Sequence, residues 1–119
     1  MPTLNREFAE RFAKPWIAAF NAHELEAILS HDSDDFKMSS PVLAETGIEA
    51  SGTLIAKAAV GAYWQRAPGP HPDLKFGLQR AAVGVGSVAI IDQGVRGFSC
   101  EAFFFADDAR VSHALAHYA

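Results

Sequence analysis

The spacing of hydrophobic residues changes along this chain, and that change limits the possible folds more than any other feature of the sequence. Near the start, bulky side chains recur every four residues, at Phe8, Phe12, Trp16 and Phe20. This spacing places them on one face of a helix. From Leu74 onward, apolar residues alternate with polar or small ones, as they do in half-buried strands. Helices followed by strands predict an α+β domain.

Three helices and five strands are expected from this pattern. Pro15 lies inside the first helix and is expected to kink it or to break one hydrogen bond. A change of parity near Gln79-Arg80 predicts a β-bulge. The predicted elements are a helix carrying the aromatic stripe, helices around 25–29 and 59–67, and strands around 36–41, 74–85, 88–92, 95–105 and 111–118, with turns at 84–87, Gln93-Gly94 and 106–110.

The length of 119 residues predicts a single domain spanning residues 1–119. A domain of this size buries roughly two-thirds of its unfolded surface, so it can fold without a disulfide or a metal. Cys100 is the only cysteine, which excludes an internal disulfide. The first residues are too polar for a signal peptide, and no apolar run approaches the ~20 residues of a membrane span. A cytoplasmic protein is expected.

The charge of the chain argues against a nucleic-acid partner. The formal net charge is −4, and the ten basic residues are scattered along the sequence. Proteins that hold nucleic acid gather Lys and Arg on one face to neutralise phosphates.

Several segments together resemble a known superfamily. They are Trp16 to Ile28, Asp34 to Phe36, Ser39 to Pro41, Ala58 to Val60 and Tyr63-Trp64. They are similar to the nuclear-transport-factor-two-like superfamily, in the SnoaL-like branch that contains polyketide cyclases and ketosteroid isomerases. The resemblance implies a single SnoaL-like domain: a cone-shaped, curved antiparallel (mixed) sheet wrapped by three N-terminal helices, the cystatin-like α+β barrel, with a cavity at the wide end.

The resemblance also allows the isomerases' catalytic positions to be compared. Their proton-shuttling aspartate, just before a proline, corresponds to Ser40, and their oxyanion-binding tyrosine corresponds to Trp16. Their second oxyanion acid corresponds to Glu101. Serine is no general base without a partner, and an indole N–H donates with a different geometry. Steroid isomerisation is therefore not the activity that we expect.

The remaining candidate catalytic residues are Glu101, His113 and His117. If Phe105 pairs with Val111 across the last turn, Leu115 lies opposite Glu101. Both histidines then become diagonal neighbours on the same face as Glu101. A carboxylate beside an imidazole can work as a general base with an orienting partner. The alternative is that Glu101 and one histidine only satisfy each other's need for a polar partner beneath the helices, with no catalytic role.

A set of largely apolar residues is predicted to line the pocket, because such a lining with a few polar groups typifies small-molecule sites. We expect a small apolar or aromatic ligand and no cofactor. A metal is not expected either, because two histidines four apart on a strand are separated by roughly 13 Å. The predicted binding residues are Trp16, Phe20, Phe36, Met38, Ser40, Tyr63, Trp64, Phe76 and Phe103.

The other face of the long strand carries Phe98, Cys100, Ala102 and Phe104. A solvent-facing strand would alternate with charged residues instead. No predicted helix is left to cover this face, so a homodimer through the sheets is expected.

Two main hypotheses for function stay open at this point. In the first, the domain is an acid–base isomerase, cyclase or dehydratase. Glu101 and His117 then exchange protons, and His113 and Tyr63 act as orienting groups. In the second, it is a non-catalytic ligand-binding or structural dimerisation module. A protein-interaction module is a third reading, and it needs a further exposed apolar patch.

Overall fold

The computed structural model describes residues 4–22, 24–66, 77–94 and 97–118, apart from the side chains of Phe20 and Arg66. Phe76, one of the predicted binding residues, lies outside the described residues. None of the helices described is long and apolar enough to cross a membrane.

Four helices are present among these residues: α1 (Arg6–Asn21), α2 (Leu25–Leu29), α3 (Pro41–Glu45) and α4 (Lys57–Arg66). The Asn5 carboxamide caps α1 by accepting a hydrogen bond from the Phe8 backbone N–H at 2.8 Å. Helix α1 continues through Pro15, which is exposed. The helix is therefore not interrupted, although proline cannot supply the backbone donor at this position.

Six strands form one sheet: β1 (Asp32–Ser39), β2 (Thr53–Ile55), β3 (Gly77–Gly84), β4 (Ser87–Gly94), β5 (Gly97–Phe105) and β6 (Val111–Tyr118). Their order is β2-β1-β6-β5-β4-β3. The β1–β6 pair is parallel and the others are antiparallel, so the sheet is mixed. It has β2 and β3 at its two edges and does not close into a barrel.

Several predicted boundaries agree with this architecture. The pairing of β3 with β4 shifts register between Leu78 and Arg80, which confirms the predicted bulge. The predicted turn at Gln93-Gly94 is wrong, since both residues belong to β4 and pair with β5. Neither α3 nor β2 was expected, because both lie in a stretch read as a loop.

The short helix α3 has a local cause. Ser40 precedes it in an extended conformation, and its hydroxyl accepts a hydrogen bond from the Val42 N–H at 3.2 Å. Pro41 occupies the first turn, where the missing N–H costs nothing and the fixed φ suits a helix. An N-cap serine followed by proline is therefore sufficient to start a turn of helix directly after β1.

The aromatic stripe of α1 packs on the inner face of the sheet, which is the face towards the helices. Phe12 makes edge contacts with Phe103 and Phe105, at ring-centroid distances of 5.0 and 5.2 Å. Trp16 lies 5.0 Å from Phe103. These residues belong to one buried cluster, so the stripe predicted from sequence forms the core between α1 and β5.

Candidate functional site

The inner face of the sheet changes from apolar to polar along its strands. One row of side chains across it is apolar, and the next two rows bring acids, hydroxyls and a phenol. The apolar row is Met38, Ala114, Phe103 and Val88; the next is Ala116, Glu101 and Ile90; the last is Tyr118, Ser99, Asp92 and Leu78. A polar end of the inner face thus lies beside the last residues of β4 and β6.

Asp92 and Ser99 face each other across β4 and β5 in the last row. Both are buried, with Asp92 0% exposed. The Ser99 hydroxyl donates a short hydrogen bond to Asp92 Oδ1. This charge-assisted bond fixes the orientation of the Asp92 carboxyl group.

Glu101 lies diagonally across from Asp92 and is only 8% exposed. The two carboxyl groups lie close enough for each to affect the pKa of the other. Carboxylates have no donor of their own, so a hydrogen bond between the two groups would need a proton held between them. Asp92 Oδ2 and Glu101 Oε2 receive no hydrogen bond from a donor in the described part of the chain.

The electrostatics of the pair favour retention of that proton. Burial, then the charge of Asp92 and the hydrogen bond to it, raise the pKa of Glu101 to about 9. Burial also raises the pKa of Asp92, opposed by its hydrogen bonds with Ser99 and Glu101. Two like charges in a dry site disfavour each other, so the pair retains at least one proton near neutral pH.

Tyr63 brings a second phenol towards this polar end from α4. It is half-buried, and burial followed by the charge of Tyr118 raises its pKa. Tyr118 is the cross-strand neighbour of Ser99. The Tyr63 phenol therefore lies within electrostatic range of Tyr118 and is neutral near neutral pH.

The predicted binding residues fall into two groups. Trp16, Phe36, Met38 and Phe103 are buried in the core, whereas Tyr63 and Trp64 are partly buried against it. The Phe36 and Trp64 rings are 6.3 Å apart. Ser40 is buried and serves as the α3 cap, which gives this residue a structural role.

The prediction that His113 and His117 share a face with Glu101 is wrong. Phe105 pairs with Val111 as expected, but Phe104 pairs with His113, so one extra residue bulges on β6. This single shift places Ala116 opposite Glu101 and turns every following side chain to the other face. Both histidines consequently lie on the outer face.

On that outer face the histidines have separate surroundings. His113 Nε2 is 3.0 Å from the Ser39 hydroxyl, which in turn contacts the Thr53 hydroxyl at 2.8 Å. Burial, then the charge of Lys37, lowers the pKa of His113. His117 is exposed, with its Nδ1 3.2 Å from the Cys100 carbonyl oxygen.

Sequence reasoning missed Asp92, although a signal for it exists. Val88, Ile90 and Asp92 alternate along one strand, so an acid continues an apolar face. Such a residue is either at the end of the buried stretch or buried with partners, and the structure shows the second case.

A third buried acid, Asp32, was also missed and lies apart from this pair. It pairs with Val111 at the other end of the sheet, roughly 20 Å from the row of Tyr118 at ~3.3 Å per residue. Its Oδ2 receives no hydrogen bond from the described residues. Burial raises the pKa of Asp32 to about 7, although the charge of Lys57 opposes this.

The outer face also carries the predicted dimer surface, defined by Phe98, Cys100, Ala102 and Phe104 and called the outer patch below. The parity prediction for Cys100 is confirmed, since it lies opposite His117, away from Glu101. Phe98 and Phe104 are exposed by 55% and 43%. Among the described residues, no group of three or more potential ligands is placed to hold a metal ion.

This geometry defines a mixed-sheet α+β domain with helices over one face of the sheet, and solved structures share this fold. A SnoaL-like protein of unknown function from Burkholderia thailandensis is 47% identical, with a TM-score of 0.91, over 98% of this chain and 99% of that one. The chain therefore belongs to the SnoaL-like family of the nuclear-transport-factor-two-like fold.

More distant structures share the fold at low identity. A candidate ketosteroid isomerase from Kribbella flavida has a TM-score of 0.75 at 16% identity, over 96% of this chain and 79% of its own. A candidate SnoaL-like polyketide cyclase from Shewanella denitrificans has a TM-score of 0.73 at 14% identity, over 96% of this chain and 92% of its own. No protein-family model matches the chain, and no curated protein does.

Proposed function

We propose that the protein binds a small, largely apolar molecule against the inner face of its sheet and transfers a proton on it. The buried Asp92–Glu101 pair is the observation that carries this proposal. One proton shared by two carboxyl groups supplies a donor and an acceptor in the same site. The aromatic residues beside the pair supply the apolar surroundings that small-molecule sites use.

The pair can complete a proton transfer and return to its starting state. Glu101 donates its proton to an oxygen of the ligand, and the Asp92 carboxylate takes a proton from a neighbouring carbon. The proton then passes from Asp92 to Glu101 along their hydrogen bond. This sequence moves one proton between two ligand atoms, which is the chemistry of isomerases, cyclases and dehydratases.

Hydrogen–deuterium exchange on an enolisable aromatic ketone tests the proposal. We expect the protein in D₂O to speed exchange at the α-carbon of 2-tetralone, followed by NMR. Asp92→Asn and Glu101→Gln remove the acceptor and the acidic donor at nearly unchanged shape, so the protein-dependent rate should fall about 10²-fold or more. The matched control is His117→Ala on the outer face, which should leave the rate unchanged.

The outcomes separate the two hypotheses. Binding of 2-tetralone without faster exchange would favour a non-catalytic ligand-binding module. A rate that falls in His117→Ala but not in Asp92→Asn would contradict the assignment of the acid pair. Absence of both binding and exchange would count against a site for neutral ligands on the inner face.

We also propose that two copies associate through the outer patch. Exposed aromatic side chains on one face of a strand favour burial against a second apolar surface. In a twofold dimer the same patch meets itself, so an apolar, uncharged patch is self-complementary.

A further inference from the structure

Among the side chains that the structure describes, none provides a counter-ion for the acid pair. A pair that holds one proton keeps one negative charge in a buried site, and buried charges are normally paired. Among the Lys and Arg side chains that the structure describes, only Lys57 is not exposed, and it contacts Asp34 on β1 at 3.8 Å.

The groups that face the pair from other elements are acids or hydroxyls as well. Ser99 donates to Asp92 from β5, Tyr118 lies in the same row on β6, and Tyr63 approaches from α4. The Cys100 thiol, on the reverse side of β5, has a pKa raised by burial and by the charges of Glu101 and Asp92. None of these groups offers a positive charge.

Aromatic rings complete these surroundings. Phe103 is two residues from Glu101 on the same face of β5, and Trp16 lies 5.0 Å from the Phe103 ring. Tyr63 and Tyr118 stand on the other side of the polar rows. Rings near a carboxylate favour a cationic group, because the ring faces are electron-rich and replace water at low cost.

We propose that the pair's preferred ligand is a protonated amine carried by an apolar or aromatic body. The negative charge of the pair attracts the ammonium group, and Glu101 remains largely protonated and acts as a donor. Anionic ligands are rejected because they would meet a buried negative charge. This inference rests on the proposed function, since it assigns the charge class of the ligand of that same site.

Three matched probes test the inference by isothermal titration calorimetry at pH 7. They share one aromatic body: 2-naphthylmethylamine is cationic, 2-naphthylmethanol is neutral and 2-naphthoate is anionic. We expect the amine to bind about tenfold or more tightly than the alcohol, because a hydrogen bond to a charged partner is stronger. The carboxylate should not bind measurably.

Proton linkage provides a second readout that a merely apolar pocket would not produce. A bound cation lowers the pKa values of both acids, so amine binding should release a fraction of a proton. A neutral acceptor favours the protonated acids and should cause no release. Repeating the titration in phosphate and in Tris, whose ionisation enthalpies differ, measures the number of protons exchanged.

Variants connect the preference to the pair. In Asp92→Asn the amine-to-alcohol affinity ratio should fall towards one, whereas His117→Ala should keep it. Equal or tighter binding of the alcohol, or proton uptake with the amine, would overturn the charge assignment and leave the proposed function standing. If none of the three probes binds, both the inference and the proposed site fail.

Discussion

At the scale of single residues, the buried carboxyl groups define what this protein can do. Asp92 and Glu101 are shielded from water and lie diagonally across β4 and β5, which favours a proton shared between them. Asp32 is 1% exposed and has no such partner among the described residues. A buried acid without a donor favours its neutral form, and this links the stability of the fold to pH.

The first prediction at this scale concerns Asp32. Its pKa is about 7 in the folded protein against 3.8 as the ordinary value, so the folded state binds the proton more tightly. The stabilisation is complete below pH 3.8 and is lost as pH rises towards about 7. Asp32→Asn should remove this loss. At pH 8 its free energy of unfolding should exceed that of the wild type by on the order of 3 kcal/mol, so it should unfold at a higher urea concentration.

Urea titrations at pH 4.5, 6 and 8 measure the effect. Asp34→Asn is the matched control, because the Asp34 side chain is almost fully exposed, and it should follow the wild-type pH dependence. An Asp32→Asn variant that loses stability between pH 4.5 and 7 as steeply as the wild type would contradict the assignment.

At the scale of secondary-structure elements, short local signals decide where elements begin. The α3 cap illustrates this, because Ser40 satisfies a backbone donor of the first turn and Pro41 presets its φ. In the family comparison Ser40 corresponds to a catalytic position, but its hydroxyl here accepts from the Val42 N–H. We therefore assign it a structural role.

A prediction follows for this element. Ser40→Ala should lower the free energy of unfolding by about 1 kcal/mol, the usual cost of losing an N-cap. Ser40→Asp should retain most of the stability because aspartate also caps. Neither change should reduce 2-tetralone exchange at a temperature where the variants are folded. Loss of exchange in Ser40→Ala, with full stability, would instead return Ser40 to the catalytic site.

The bulge on β6 acts at the same scale and has larger consequences. One additional residue between the pairs Phe105–Val111 and Phe104–His113 reverses the faces of the rest of the strand. As a result Ala116, and not a histidine, lies beside Glu101. The acid pair forms between β4 and β5, on the side of Glu101 away from β6.

At the scale of the whole molecule, the sheet has two different faces. The helices cover the inner face, with α1 against β3 and β4 and α4 against β1 and β2. The outer patch has no cover among the described residues, and its two phenylalanines are substantially exposed. A second copy of the chain would bury this surface.

The prediction at this scale is a homodimer. Sedimentation equilibrium at micromolar concentration should give about twice the chain mass of 12.8 kDa. Phe104→Glu should shift the equilibrium to monomer, because dimerisation would then bury two carboxylates. Ile48→Glu changes a residue of similar exposure, 49%, outside the outer patch and should leave the dimer intact. A wild-type monomer would contradict the proposal.

The sequence by itself determined the parts of this protein that depend on local periodicity. The aromatic stripe predicted α1 and its buried face, and alternation predicted β5 and the opposite orientations of Glu101 and Cys100. The resemblance implied that Glu101 is the one that faces inward. The segments that resemble the SnoaL-like family also led to the correct fold. These features could be predicted because residues a few positions apart determine which face of an element is apolar.

Only the tertiary structure decided the chemistry at the polar end. The pairing of β5 with β6 depends on one bulge, and no alternation in Val111–Tyr118 marks its position. The joining of Asp92 to Glu101 depends on strand register, and the burial of Asp32 depends on distant elements packing over it. Register and burial result from contacts between residues far apart in the chain, so local patterns could not determine them.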